Sequence, residues 1–220
     1  MNAAVDLVRA TEEAAGPERL DVVVIGGGQA GLSVGYYLAR QNVRFVILDA
    51  QARVGDAWRK RWDSLRLFSP ARYDALVGMP FPAPDDSFPT RDEMADYLEA
   101  YAERFRLPVQ SGARVDSLTQ RDGRYRVVAG DREFEAEQVI IAMANYQEPR
   151  VPELAGALGP DILQMHSSAY KNPEQLRDGP VLVAGVGNSG AEIAYELARA
   201  GRDVWLAGRP TGEAPFRMNT

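Results

Sequence analysis

The chain has 220 residues, a formal net charge of −6 and no cysteine. Its length permits one or two domains with a real core, and its composition is that of an ordinary folded protein. The acidic balance gives no support to nucleic-acid binding, no apolar run is long enough to span a bilayer, and the lack of cysteine excludes disulfides, zinc thiolates, iron–sulfur clusters and flavin mechanisms that need a dithiol.

Residues 1–19 contain Asp6, Glu12 and Glu13 and no signal-peptide core, so an N-terminal tail and a cytoplasmic location are expected. A strand–loop–helix–strand unit follows. Val22–Ile25 runs into Gly26-Gly27-Gly28-Gln29-Ala30-Gly31, a helix is predicted over Leu32–Arg40, and a second strand over Arg44–Leu48. Residues 50–90 are rich in Pro and aromatic side chains and read as irregular chain, long enough to suggest a task. Thr90 with Glu93 forms a capping-box pattern opening a helix to Arg106, whose stripe of Met94, Tyr97, Leu98, Tyr101 and Phe105 reads as core.

Val109–Leu118, Arg124–Val128 and Arg132–Glu135 predict an antiparallel meander turning at Asp122-Gly123 and Gly130-Asp131. Gln138–Met143 predicts a further, buried strand. Pro149 and Pro152 open a loop-rich linker. The second strand–loop–helix–strand unit consists of Val181–Ala184, Gly185-Val186-Gly187-Asn188-Ser189-Gly190, a helix over Ala191–Ala200 and a strand over Asp203–Ala207. No element is expected over Pro210–Thr220.

Each Gly-x-Gly-x-x-Gly run ends a strand and opens a helix, the context in which the motif lets backbone approach a pyrophosphate at a helix N-terminus. The bland alternative is a tight turn without a ligand. Asp49 stands 23 positions after Gly26, and Gly208 the same distance after Gly185, followed by Arg209. An acid there accepts from a free ribose 2′-OH, whereas a cation suits a 2′-phosphate. The first loop is thus expected to take a cofactor such as FAD or NAD, the second NADP. The expected fold is α/β with two Rossmann-like dinucleotide-binding domains: a tail over 1–19, the first domain over 20–148, a linker over 149–178, and a partial second domain over 179–220.

The chain resembles the flavin-dependent monooxygenases with two dinucleotide domains. These include flavin-containing monooxygenases, Baeyer–Villiger enzymes and small bacterial flavoproteins sometimes labelled as involved in cation or potassium transport. The resemblance is carried by both glycine loops, Gly55-Asp56-Ala57-Trp58, Trp62–Leu67, Gly78–Pro82, Asp96-Tyr97-Leu98, Ala142-Met143-Ala144, His166–Tyr170 and Gly208-Arg209. It implies FAD reduced by NADPH and a C4a-peroxyflavin that oxygenates a small organic substrate with molecular oxygen. By this resemblance Gly26, Gly28, Gln29, Ala30 and Gly31 would hold the FAD pyrophosphate and Asp49 its ribose. Val115 would contact the adenine end, Trp58 and Arg66 would lie near the isoalloxazine, and Ala142 would flank the cofactor. Gly185, Gly187, Asn188, Ser189 and Gly190 would hold the NADPH pyrophosphate and Arg209 its 2′-phosphate.

Arg66, His166 and Tyr170 are the candidate catalytic residues, and no metal ligands are expected. Against these stand plainer readings: Trp58 as a packing aromatic, Arg66 as a surface ion pair, His166 as a linker histidine. Departures from the family pattern are Phe68 where an Asn is usual, Ala142-Met143-Ala144 for Ala-Thr-Gly, and an apparent truncation of the C-terminal part of the fold. That truncation predicts slow, uncoupled NADPH oxidation. A non-enzymatic nucleotide-binding module and a flavin reductase or oxidase without oxygen insertion remain alternatives. The oligomeric state stays open, a homodimer among the options.

Overall fold

The computed structural model describes residues 16–209, so the expectations for most of the N-terminal tail and for Pro210–Thr220 lie outside the described residues. The chain divides into two units, Met1–Val54 with Leu98–Met143, and Gly55–Tyr97 with Ala144–Thr220.

In the first unit, β1 (Glu18–Ile25), α1 (Gln29–Arg40) and β2 (Phe45–Asp49) form the expected unit. They are joined by β3 (Val109–Ser111), β4 (Ser117–Arg121), β5 (Arg124–Ala129) and β6 (Arg132–Ile141) in a six-stranded sheet of order β3-β2-β1-β6-β5-β4. β1 pairs in parallel with β2 on one side and β6 on the other. The chain runs outward from β1 through β2 to β3 and comes back from the opposite edge through β4 and β5 to β6, so the strand order reverses between β1 and β6, whose carboxyl ends bound the crevice where open α/β sheets bind ligands.

Val23, Val24, Ile47 and Leu48 are almost wholly buried, each worth about 1.5–3 kcal/mol over exposure. α1 lies close to the sheet because Gly35 has no side chain; a Cβ there would come within 2.7 Å of Ile47 Cδ1. The edge of Tyr36 packs on Phe105 at 4.8 Å between ring centroids. On the core cluster of Val23, Ile25, Val46, Leu48 and Phe134 rest Ala113 and Val115.

Four expectations change here. Val109–Leu118 is not one antiparallel strand. β3 pairs in parallel with β2, and Gly112-Ala113-Arg114 crosses over the end of β2 before β4 begins. Arg132–Glu135 and Gln138–Met143 are not two strands but the single β6, which pairs with β5 through its first half and with β1 through Ile141. No turn former interrupts Ala136-Glu137-Gln138. The later part of β6 is also less buried than expected, with Ile141 64% exposed. β1 starts at Glu18, inside the expected tail, because Glu18 and Arg19 already pair with Phe134 and Glu135. The two hairpin turns are where the sequence puts them: Asp122 and Gly123 both have positive φ, as a tight two-residue connection requires.

In the second unit, α2 (Asp56–Arg59) starts at Gly55, where a Cβ would lie 2.5 Å from the Ala95 carbonyl oxygen. α3 (Arg91–Arg104) gives its first half to this unit and its second half to the other. Its N-terminus carries the expected capping box: Thr90 N–H donates to Glu93 Oε2 at 2.7 Å, and Glu93 N–H to Thr90 Oγ1 at 3.2 Å. The irregular stretch is tied down by backbone bonds, Leu67 N–H to Pro89 O and Arg91 N–H to Leu65 O. Tyr97 pins it further, its hydroxyl accepting from Leu76 N–H at 2.6 Å and donating to Met79 O at 2.7 Å.

β7 (Val181–Ala184), α4 (Asn188–Arg199) and β8 (Val204–Ala207) form the second expected unit, with β7 parallel to β8. α4 buries Ile193, Ala194 and Leu197, while the cross-strand pair Leu182 and Trp205 stands exposed. No described helix is long and apolar enough to cross a membrane.

Candidate nucleotide-binding sites

Both glycine loops adopt the same backbone. Gly26 has φ +110° and Gly185 φ +117°, a region open to glycine and rarely to other residues. Gly28 and Gly187 are the N-caps of α1 and α4, both extended, and neither helix is capped by a side chain. The N–H groups that open each helix are therefore left for a ligand. A Cβ on Gly31 would strike the Gly26 carbonyl oxygen, and one on Gly190 would strike that of Gly185. A Cβ on Gly28 or Gly187 would meet nothing within 4 Å, so each loop faces open space at that glycine. These are the cradles a pyrophosphate needs, and the residues present fit one at each loop.

The loops differ at one pair of positions. In the first, Gly27 N–H donates to Asp49 Oδ2 at 2.5 Å, and Gln51 N–H donates to Oδ1 at 2.7 Å. The carboxylate is thus aimed at the loop from the end of β2. A carboxylate can accept about four hydrogen bonds, so acceptor capacity remains for ribose hydroxyls. In the second loop the same place is Gly208, beside Val186. No acid stands there. Arg209 follows it, exposed and with no ion pair to any described residue.

Around the first loop the structure gathers Ala142, whose N–H donates to Ile25 O at 2.7 Å and whose carbonyl oxygen would lie 2.6 Å from a Cβ on Gly26. Val115 belongs to the segment over the β2 end, where Ala113 N–H donates to Asp49 O. Its side chain packs on the core. Gln29 and Ala30 are exposed in the first turn of α1, and Asn188 and Ser189 occupy the first turn of α4.

Trp58, Arg66, His166 and Tyr170 lie in the second unit. Trp58 is half-buried on α2. Arg66 donates to Phe88 O at 2.8 Å, fastening its strand-like segment to the one before α3. Phe68, in place of the usual Asn, is 72% exposed. His166 Nδ1 accepts from Ser168 N–H at 3.2 Å and lies 2.8 Å from Ser168 Oγ, so one ring nitrogen is used to close its own turn.

Tyr170 is buried, and its hydroxyl donates to Glu196 Oε2 on α4 at 2.7 Å. Burial, then the bond and charge of Glu196, push the phenol well above its ordinary range. Such a group holds its proton. The neighbouring Lys171 ammonium is bound to the Lys60 and Arg61 carbonyls, and Asn172 donates to Asp63 Oδ2 at 2.7 Å. The segment around Tyr170 is thereby fastened at several points.

Two positions that matter were missed in the sequence, Gly27 and Val186. The signal was present as Gly-Gly-Gly against Gly-Val-Gly, but its meaning depends on what stands across the loop.

The model of the pyridine nucleotide-disulphide oxidoreductase family matches residues 23–217. The chain belongs to that family. This pyridine nucleotide-disulphide oxidoreductase family member is 45% identical to "Uncharacterized oxidoreductase CzcO-like" of Geobacillus kaustophilus (strain HTA426), the match covering 86% of this chain and 54% of the relative. It is 34% identical to indole-3-pyruvate monooxygenase YUCCA1 of Oryza sativa subsp. japonica, covering 86% and 48%. Among solved structures, it is similar to a flavin-containing monooxygenase from Stenotrophomonas maltophilia, with 40% identity, a TM-score of 0.79, and coverage of 86% and 57%. The resemblance to flavin-dependent monooxygenases is borne out. The chain spans about half the length of the curated relatives it matches.

Proposed function

We propose that the chain is the nucleotide-binding portion of an NADPH-dependent FAD oxidoreductase of the monooxygenase type, acting on a small organic substrate with molecular oxygen. The observation that carries this is one loop backbone built twice, with a loop-directed carboxylate at Asp49 in the first copy and Gly208-Arg209 at the same place in the second. Its membership of the pyridine nucleotide-disulphide oxidoreductase family and its monooxygenase relatives support the same reading.

Gly26, Gly28, Gln29, Ala30 and Gly31 then hold the FAD pyrophosphate at the α1 N-terminus, with Asp49 on the ribose and Val115 and Ala142 flanking the cofactor. Gly185, Gly187, Asn188, Ser189 and Gly190 hold the NADPH pyrophosphate at the α4 N-terminus, with Arg209 on the 2′-phosphate. Bound FAD supplies hydride acceptance from NADPH and reaction with oxygen. Trp58 and Arg66 serve the flavin's environment. Tyr170 and His166 keep the segment before β7 in place, and neither acts as a nucleophile.

The test is the absorption spectrum of the purified protein, followed by assay of NADPH and NADH consumption, peroxide and oxygenated product on sulfides and ketones. Bound yellow flavin, a preference for NADPH and product formation support the proposal. A colourless protein that takes up no added FAD overturns it in favour of a plain nucleotide-binding module. NADPH oxidation yielding peroxide alone marks an oxidase.

A further inference from the structure

The two loops can be superposed residue by residue from their own hydrogen bonds. Gly26 N–H donates to Leu48 O at 2.8 Å, and Gly185 N–H donates to Ala207 O at 2.7 Å. Asp49 and Gly208 each follow that anchor, and Gly27 and Val186 each follow the first glycine of their loop. In the first loop the side chain is on the strand and the glycine on the loop. In the second the glycine is on the strand and the side chain on the loop. A Cβ on Gly27 would lie 2.6 Å from Asp49 Oδ2 and 3.0 Å from Asp49 Cβ. A Cβ on Gly208 would lie 3.1 Å from Val186 N, 3.3 Å from Gly185 Cα and 3.3 Å from Val186 Cγ1, the last being its one side-chain neighbour among the three. The first pair excludes a second side chain, whereas the second admits a methyl at 208 only if its neighbours give by a few tenths of an ångström.

The geometry points to Val186 as a specificity-determining residue of the second nucleotide site: its side chain takes the volume that a ribose-binding carboxylate at position 208 would need. This rests on reading the second loop as the NADPH site. Val186 keeps that site free of acid, which leaves the 2′-phosphate beside Arg209 without a repelling neighbour. A methyl at 208 needs only a small shift. A carboxylate turned toward the loop N–H, as Asp49 is, runs into the Val186 side chain. Gly208→Asp therefore cannot copy the Asp49 arrangement while Val186 is present. Removing Val186 makes that arrangement available.

The experiment titrates NADPH and NADH separately onto the parent protein, Val186→Gly, Gly208→Asp and the double variant, by calorimetry, with a thermal melt of each. Gly208→Asp is expected to lose NADPH affinity and gain none for NADH. The double variant is expected to bind NADH at least about tenfold more tightly than either single variant, the scale of charge-assisted hydrogen bonds to ribose. In the melts, Val186→Gly should recover part of the midpoint lost by Gly208→Asp. If Gly208→Asp gains NADH as strongly as the double variant, or the double variant gains nothing, the role of Val186 is overturned while the site stands. Additive melting shifts also overturn it, and they remain readable if binding is too weak to measure. If the parent binds neither nucleotide, or prefers NADH, the reading of the second loop fails and the proposal with it.

Discussion

Gly27 and Asp49 form a fixed pair in which the glycine N–H donates to Oδ2 at 2.5 Å and no side chain fits between them. This separates the tasks of adjacent glycines, since Gly27 makes room for protein and Gly28 makes room for ligand.

Gly27→Ala is expected to push the carboxylate off the loop, with an overpacking cost of about 1–3 kcal/mol and reduced flavin content. Gly28→Leu should leave the melting midpoint of the flavin-free protein within a degree or so, because its side chain enters open space. It should still abolish flavin retention, read as the ratio of flavin to protein absorbance. Full flavin content in Gly28→Leu would remove the first loop from the FAD site.

Arg209→Ala should weaken NADPH by the worth of a charge-assisted phosphate contact, about 1.5–3 kcal/mol or roughly tenfold to a hundredfold. NADH affinity should change little, because NADH lacks the phosphate. Titration of both nucleotides checks this, and equal losses for the two would show that Arg209 does not read the 2′-phosphate.

Thr90 and Glu93 give α3 a pH-dependent N-terminus. The Thr90 N–H and hydroxyl both donate to Glu93 Oε2, at 2.7 and 2.9 Å, and hold the Glu93 carboxyl below its usual range, the backbone bond most. A carboxyl that is more acidic folded than unfolded stabilises fully above its unfolded value and loses that contribution as pH falls through the folded one. Thr90→Ala should therefore cost about 1 kcal/mol at neutral pH and less in acid, measured by urea unfolding across pH 2–7 (a scan chosen to bracket the carboxylate range at roughly pH 4). A cost independent of pH would show that the Thr90 hydroxyl takes no part in holding the Glu93 carboxylate, whose bond from the Thr90 N–H the variant retains.

Ala144 sits at φ +57°, in the left-handed region, where the related Ala-Thr-Gly pattern has its glycine. Relief of that conformation in Ala144→Gly is worth about 1–2 kcal/mol, offset in part by glycine's extra freedom unfolded, roughly 0.5–1 kcal/mol. A net gain of a few tenths to about 1 kcal/mol is expected in urea unfolding. A loss would mean that the Ala144 side chain makes contacts worth more than the strain.

Local signals were legible where chemistry and spacing coincide. The two glycine loops, the Thr90–Glu93 cap, the α3 stripe from Met94 to Tyr101 and the Asp122-Gly123 turn all rest on short-range rules and appear as read, while α3 stops at Arg104 rather than Arg106 and leaves Phe105 half-buried just past its end. Partner choice was not legible. Val109–Ser111 pairs in parallel with β2, and β6 keeps running past Glu135, because both depend on strands distant in sequence. Asp49 and Arg209 could be picked out by offset alone. Gly27 and Val186 could not, since a steric role needs the neighbour across the loop. Tyr170 was picked out by the family resemblance of the His166–Tyr170 segment, but its bond to Glu196 on α4, which keeps the phenol protonated, shows only in three dimensions.

The crowding between the strand-end position and the loop position across from it also orders the substitutions by which one loop type could turn into the other. Starting from valine and glycine, gaining the aspartate first passes through a crowded state in which both side chains compete. Losing the valine first passes through a pair of glycines, which is roomy and holds phosphate by backbone alone. The passable route between NADP-type and NAD-type sites on this backbone therefore runs through an undiscriminating nucleotide binder, and cofactor preference changes by way of permissiveness rather than by direct exchange.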